Sequence, residues 1–314
     1  MKSEILMIAP MMLRVMTTLE DAYMVHRLWE ATDRDAFVTR VAANIRGVAT
    51  NGSVGIAGDL IDALPKLEII VCYGVGVDAI DLSHAKARGI PVTTTPDVLT
   101  VDVADMAVGL MIASSRHLVR GDQYVRTQAW AQKGEMPLTS RMTGKKAGIV
   151  GLGRVGKALA KRLTAFDMQI SYTDVAAQSD QPFTFIADLT ELARSSDFLI
   201  VTAAGGAASR KMVNQTVLEA LGEKGILINV SRGSIVDEDA LIATLEAGKL
   251  GGAGLDVFFN EPHVPEALLK LENVVLMPHH SSGTVESRNA MGDLVIANLE
   301  AHFQGKPLLT PFPN

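Results

Sequence analysis

A chain of 314 residues exceeds one typical domain, and with 48% hydrophobic and 20% charged residues it has the composition of a folded enzyme, which excludes a disordered tail or scaffold. The net charge of −6, with 29 basic residues dispersed among 35 acidic ones, speaks against a nucleic-acid partner. The single cysteine, Cys72, excludes an intramolecular disulfide, and its apolar run predicts a buried, inert thiol.

The N-terminus mimics a secretion signal weakly, but Glu4, Pro10 and Arg14 interrupt it and fit a first buried strand better. Met7, Met11, Met12 and Met16 read as core filler. Short apolar runs at 5–9, 47–50, 69–72 and 91–93 alternate with helix-like segments, the pattern of βαβ units and a parallel sheet buried on both faces. The run at 103–113 is too long and Ala-rich for a strand, so residues 100–126 are predicted as one helix crossing between domains. An irregular loop with Pro137 follows at 135–141, and Trp130 before it is placed at a pocket wall or a dimer contact.

A second set of apolar runs, at 147–150, 169–172, 198–202, 226–230, 252–257 and 274–277, predicts a second sheet. A final helix at 285–303, with Ile296, Leu299 and Phe303 on one face, crosses back, so the first domain is discontinuous. The division is then 1–99 plus 285–314 for one domain and 100–284 for the other. No run approaches the roughly 20 apolar residues that span a bilayer; no membrane partner is expected, and a cytoplasmic location follows by default.

After the strand at 147–150 stands Gly151-Leu152-Gly153-Arg154-Val155-Gly156, opening a helical pattern with Val155, Leu159 and Leu163. In this context the three glycines serve a tight turn, close approach to a pyrophosphate and helix packing. Asp174 ends the next strand, where an acidic side chain accepts from ribose hydroxyls and repels the 2′-phosphate of NADP. No Lys or Arg occurs from 175 to 193, which predicts NAD, with NADP a second option if Arg154 or Arg210 folds over the site. Three later strand ends carry residues unsuited to a core: Ser231-Arg232-Gly233, Asn260-Glu261-Pro262 and Pro278-His279-His280. An arginine offers a planar fork for a carboxylate, and a histidine beside a carboxylate passes a proton near neutral pH. Together they suit hydride reduction of a small 2-oxo acid. His280 is read as a cleft wall, and His26, His84, His117, His263 and His302 lack metal-ligand spacing, so no metal is predicted.

The chain resembles the D-isomer-specific 2-hydroxyacid dehydrogenases over essentially its whole length. The resemblance rests on Tyr73-Gly74-Val75-Gly76-Val77-Asp78, Val103-Ala104-Asp105, the glycine turn, Ser231-Arg232-Gly233, Glu261-Pro262 and Pro278-His279, in that order. It implies an α/β protein of two doubly wound parallel sheets, a flavodoxin-like substrate domain and a Rossmann cofactor domain. It also implies a substrate carboxylate held by Arg232 and the amides of Val75 and Gly76, His279 as acid/base and Glu261 as its partner. Asp256 is implied at the nicotinamide amide, and Val103, Ala203, Val230, Ser231, Arg232, His279 and Ser282 join the glycine turn and Asp174 around the cofactor. Thr95 to Thr100 and Pro137-Leu138-Thr139 look most like the glyoxylate/hydroxypyruvate reductases, and residues 100–141 look like the family's homodimer surface. Ala203-Ala204-Gly205-Gly206 departs from the polar residue and proline common in the family. The rival readings are phosphite or formate oxidation on the same scaffold, or a non-catalytic nucleotide-binding regulator.

Overall fold

The computed structural model describes residues 2–313. The chain forms two compact units, Met1–Leu99 with Gly283–Asn314, and Thr100–Ser282. Gly283 and Thr284 thus fall with the first unit, because Thr284 is the N-cap of the helix Val285–Phe303 and accepts from Ser287 N at 3.1 Å.

The first unit is a parallel sheet of β1 (Glu4–Met7), β2 (Met24–Arg27), β3 (Ile45–Asn51), β4 (Ile69–Tyr73) and β5 (Val92–Thr93), in the order β2-β1-β3-β4-β5. That is the flavodoxin-like order. Every residue of β4 is buried, as a central strand covered on both faces requires, and Cys72 lies in it at 1% exposure. Gly292 lets the helix Val285–Phe303 approach the helix Leu13–Ala22, since a Cβ there would lie 2.2 Å from Val15 Cγ2.

The second unit is a parallel sheet of β6 (Lys146–Val150), β7 (Gln169–Thr173), β8 (Thr184–Phe185), β9 (Phe198–Val201), β10 (Ile226–Asn229), β11 (Gly252–Leu255) and β12 (Val274–Leu276), ordered β12-β11-β10-β9-β6-β7-β8. The order reverses at β6, which pairs with β7 on one side and β9 on the other, so Val150 lies beside both Thr173 and Val201. Ligands of open α/β sheets bind at such a switch point, beyond the carboxyl ends of the strands. Gly254 in β11 lets the helix Thr100–Ser115 lie against the sheet: a Cβ there would meet Ile228 Cδ1 at 2.9 Å and Leu110 Cβ at 3.1 Å.

The structure corrects the sequence reading of the elements at two places. The segment 100–126 is two helices, Thr100–Ser115 and Leu118–Arg126, because His117 adopts φ +50 between them; the first belongs wholly to the second unit. The edge strand β2 and the short β8 carry no long apolar run and were not predicted. Among the described residues, no helix is long and apolar enough to cross a membrane.

Candidate active site

The dinucleotide turn grows out of β6. Gly151 has φ +89, a left-handed conformation that favours glycine, and its amide donates to Thr173 O at 2.8 Å. A Cβ on Gly151 would lie 2.5 Å from Ala203 Cα, and one on Gly156 2.3 Å from Gly151 O, so both positions must be bare for strand, turn and helix to close. Gly153 differs: no protein atom lies within 4 Å of where its Cβ would be. The space a side chain would fill is the space through which a pyrophosphate approaches the backbone. Gly153 also N-caps the helix Arg154–Thr164, which has no side-chain cap bond and no acidic residue in its first turn. The free amides and partial positive charge of that helix end suit a diphosphate. Asp174 follows β7, and its Oδ2 accepts from Leu152 N in the turn at 2.9 Å. The residues present therefore fit a nicotinamide dinucleotide, which the 151–156 turn would hold at its pyrophosphate and Asp174 at its ribose.

The residues expected from the sequence to be catalytic follow the carboxyl ends of β10, β11 and β12. Asn229, 1% exposed, braces the first of these turns: its Nδ2 donates to Arg232 O at 2.9 Å and its Oδ1 accepts from Ser231 N at 3.1 Å. Ser231 Oγ donates to Ala203 O, joining this turn to the end of β9. Gly233 lets the turn meet the chain beyond β11, because a Cβ there would sit 2.0 Å from the Phe258 carbonyl. Glu261 lies in that chain, accepting from Phe258 N at 3.0 Å through Oε1 and meeting His279 Nδ1 at 2.6 Å through Oε2. Burial alone would push the Glu261 carboxyl up; the His279 bond, the Phe258 amide and the charges of His279 and Arg232 outweigh it and hold the group below the usual carboxylate range. An ionised Glu261 only accepts, so Nδ1 carries a proton and Nε2 is the nitrogen left for a substrate.

His279 has φ +49, in the left-handed region that few non-glycine residues adopt. Asp256 holds this turn in place. Its side chain is fully buried, its carboxylate accepts from His280 N at 2.7 Å, Ser281 N at 2.9 Å and Ser281 Oγ, and its carbonyl accepts from His279 N at 2.8 Å. Asp256, expected at the nicotinamide amide, thus has its carboxylate on the loop that presents His279. Asn229, Ser281 and Gln178, which bonds Asp174 at 3.1 Å, were not singled out as site residues; an Asn or Asp ending an apolar strand was the one available signal.

The second unit thus brings together the glycine turn, Asp174, Ala203 and Ser231 on one side and Arg232, Glu261 and His279 on the other. Val103 and Val230 are buried at 8% and 7%, and His280 is exposed. Val75 and Gly76 belong to the first unit, on the loop after β4, where Gly76 O accepts from Cys72 Sγ at 3.4 Å. Among the described residues, no group of three or more His, Cys, Asp or Glu is placed to hold a metal ion. The arrangement offers a fork of donors beside an oriented acid/base, which suits binding a carboxylate and moving one proton at an adjacent oxygen.

The family model for the NAD binding domain of D-isomer specific 2-hydroxyacid dehydrogenases matches residues 108–281. Over 307 residues the chain is 48% identical to the hydroxyphenylpyruvate reductase of Plectranthus scutellarioides and to glyoxylate/hydroxypyruvate reductase A of Arabidopsis thaliana, covering 98% of each chain and 98% of this one. Among solved structures, the NADPH-dependent glyoxylate/hydroxypyruvate reductase of Sinorhizobium meliloti, in complex with NADP and malonate, superposes with a TM-score of 0.94 at 45% identity over 99% of this chain and 97% of that one.

Proposed function

Because the chain belongs to the D-isomer specific 2-hydroxyacid dehydrogenase family, as an NAD(P)-dependent enzyme of 2-oxo and D-2-hydroxy acids, we propose that it reduces glyoxylate or hydroxypyruvate with NADH, as a cytoplasmic homodimer. The observation that carries the reductase reading is the 2.6 Å contact of Glu261 with His279 Nδ1, beside the Arg232 turn. When bound, the reduced dinucleotide supplies the hydride. Arg232 holds the substrate carboxylate, His279 Nε2 gives its proton to the carbonyl oxygen, and Glu261 stabilises the imidazolium before that transfer. The test is loss of NADH absorbance on adding glyoxylate or hydroxypyruvate; its appearance from NAD with formate or phosphite instead would replace this reading with the oxidative one.

The Sinorhizobium meliloti relative is NADPH-dependent, so overall similarity does not carry the choice of NADH; Asp174 does. An anionic carboxylate accepts from a ribose hydroxyl and repels a dianionic 2′-phosphate. NADH is expected to exceed NADPH in kcat/KM by about tenfold or more, ~1.4 kcal/mol, and Asp174→Ala to narrow that gap. A ratio favouring NADPH in the native enzyme overturns the preference.

The homodimer reading rests on apolar side chains left in water within one stretch of the second unit: Leu118, Val119, Val125, Trp130 and Leu138 are 53%, 51%, 55%, 62% and 100% exposed. Exposed apolar side chains concentrated in one stretch suit burial against a partner, and a second copy is the commonest one. Light scattering at micromolar concentration is expected to give twice the chain mass; a fully active monomer would dispose of the dimer.

A further inference from the structure

Asp174 does not hang free at the end of β7. Gln178 Nε2 lies 3.1 Å from Asp174 Oδ2 and 3.0 Å from Leu152 O in the glycine turn. Both partners only accept, so chemistry fixes which end of the amide faces them. The backbone of Gln178 is pinned as well: its N–H donates to Tyr172 Oη at 2.7 Å, and that ring, 1% exposed, packs on Phe185 at 5.4 Å between centroids. Asp174 Oδ2 therefore receives two donors, Leu152 N and Gln178 Nε2, while Oδ1 receives Val175 N at 2.7 Å. Each carboxylate oxygen has about two acceptor sites, so Oδ2 is saturated by the fold and Oδ1 keeps one open. Gln178 Oε1, a second acceptor, takes no hydrogen bond among the described residues.

We infer that Gln178 is a positioning residue for cofactor choice, locking the Asp174 carboxylate against the glycine turn so that a ribose 2′-hydroxyl is accepted and a 2′-phosphate refused. The inference rests on Asp174 being the ribose acceptor, as proposed above. A hydroxyl donates, and it meets open acceptors at Oδ1 and Oε1. A phosphate dianion only accepts, and it meets a carboxylate that cannot turn aside. An unbraced aspartate can rotate toward water and lessen the repulsion; the two contacts of the Gln178 amide remove that escape. Being neutral, the amide also leaves the full negative charge of Asp174 in place, which a lysine or arginine there would offset.

The test is calorimetric binding of NADH and of NADPH to the full chain, alongside kcat/KM with each, for the native protein, Gln178→Ala and Gln178→Lys. In Gln178→Ala the ratio of Kd values favouring NADH is expected to shrink by about fivefold or more, with the loss falling on KM for NADH more than on kcat. Gln178→Lys is expected to shrink the ratio further by tightening NADPH. A native protein that prefers NADH and two variants that keep the native Kd ratio within about twofold would overturn the role of Gln178 and leave that of Asp174 standing. A native preference for NADPH would overturn both.

Discussion

Arg232→Ala is expected to lower kcat/KM for glyoxylate reduction by about a thousandfold, ~4 kcal/mol, the scale of removing one partner from a desolvated, hydrogen-bonded charge pair. The guanidinium is the one group of the Ser231-Arg232-Gly233 turn that offers a planar fork to a carboxylate; Nη1 already donates to Ser231 O at 2.7 Å, which holds the side chain near its own turn. The backbone of this turn is held by other residues, through the Asn229 bonds and the bare Cα of Gly233 against Phe258, so truncating the side chain leaves the turn standing. Activity is then expected to fall with little change in Tm. Arg232→Lys keeps the charge but not the two parallel donors, and a loss of about a hundredfold is expected for it. A kcat/KM for Arg232→Ala within about tenfold of the native value, at saturating NADH, would remove Arg232 from substrate binding.

Both sheets were readable from apolar runs because their central strands are buried on both faces, as β4, β9 and β11 are throughout. The edges were not. β2, Met-Val-His-Arg, is half-exposed and polar at its end, and β8 is a two-residue pairing of Thr184 and Phe185 with the neighbouring strand. The break at His117 was hidden because no glycine or proline punctuates Ser115-Arg116-His117-Leu118. In the site, Arg232, Glu261 and His279 stood out as groups wrong for a core at strand ends, and the structure joins Glu261 to His279. The bracing roles of the supporting residues were invisible for another reason. Asp256 meets the amides of residues 24 and 25 positions later, and Asn229 and Gln178 act through backbone atoms of turns; neither distance nor backbone bonding leaves a periodic trace.

His279→Asn is expected to lower kcat for reduction by about a thousandfold, within the range that a positioned general acid supplies. Asparagine is the suitable replacement because it tolerates the left-handed φ of +49 and so leaves the turn braced by Asp256 intact. Glu261→Gln tests the pairing through pH. In the native enzyme Glu261 is held below the usual carboxylate range, so it stays ionised at neutral pH and loses its charge only as pH falls through that lowered value. Reduction is therefore expected to persist on the acid side until Glu261 protonates. A neutral amide at 261 removes the acid edge that belongs to the carboxyl. It also withdraws the charge that stabilises the imidazolium, so kcat at neutral pH is expected to fall as well. The profiles are read as kcat against pH with deuterated NADH, whose isotope effect shows that hydride transfer limits the rate. An acid edge that stays in place in Glu261→Gln, with a full isotope effect, would separate Glu261 from the proton transfer and reduce its contact with His279 to a structural one.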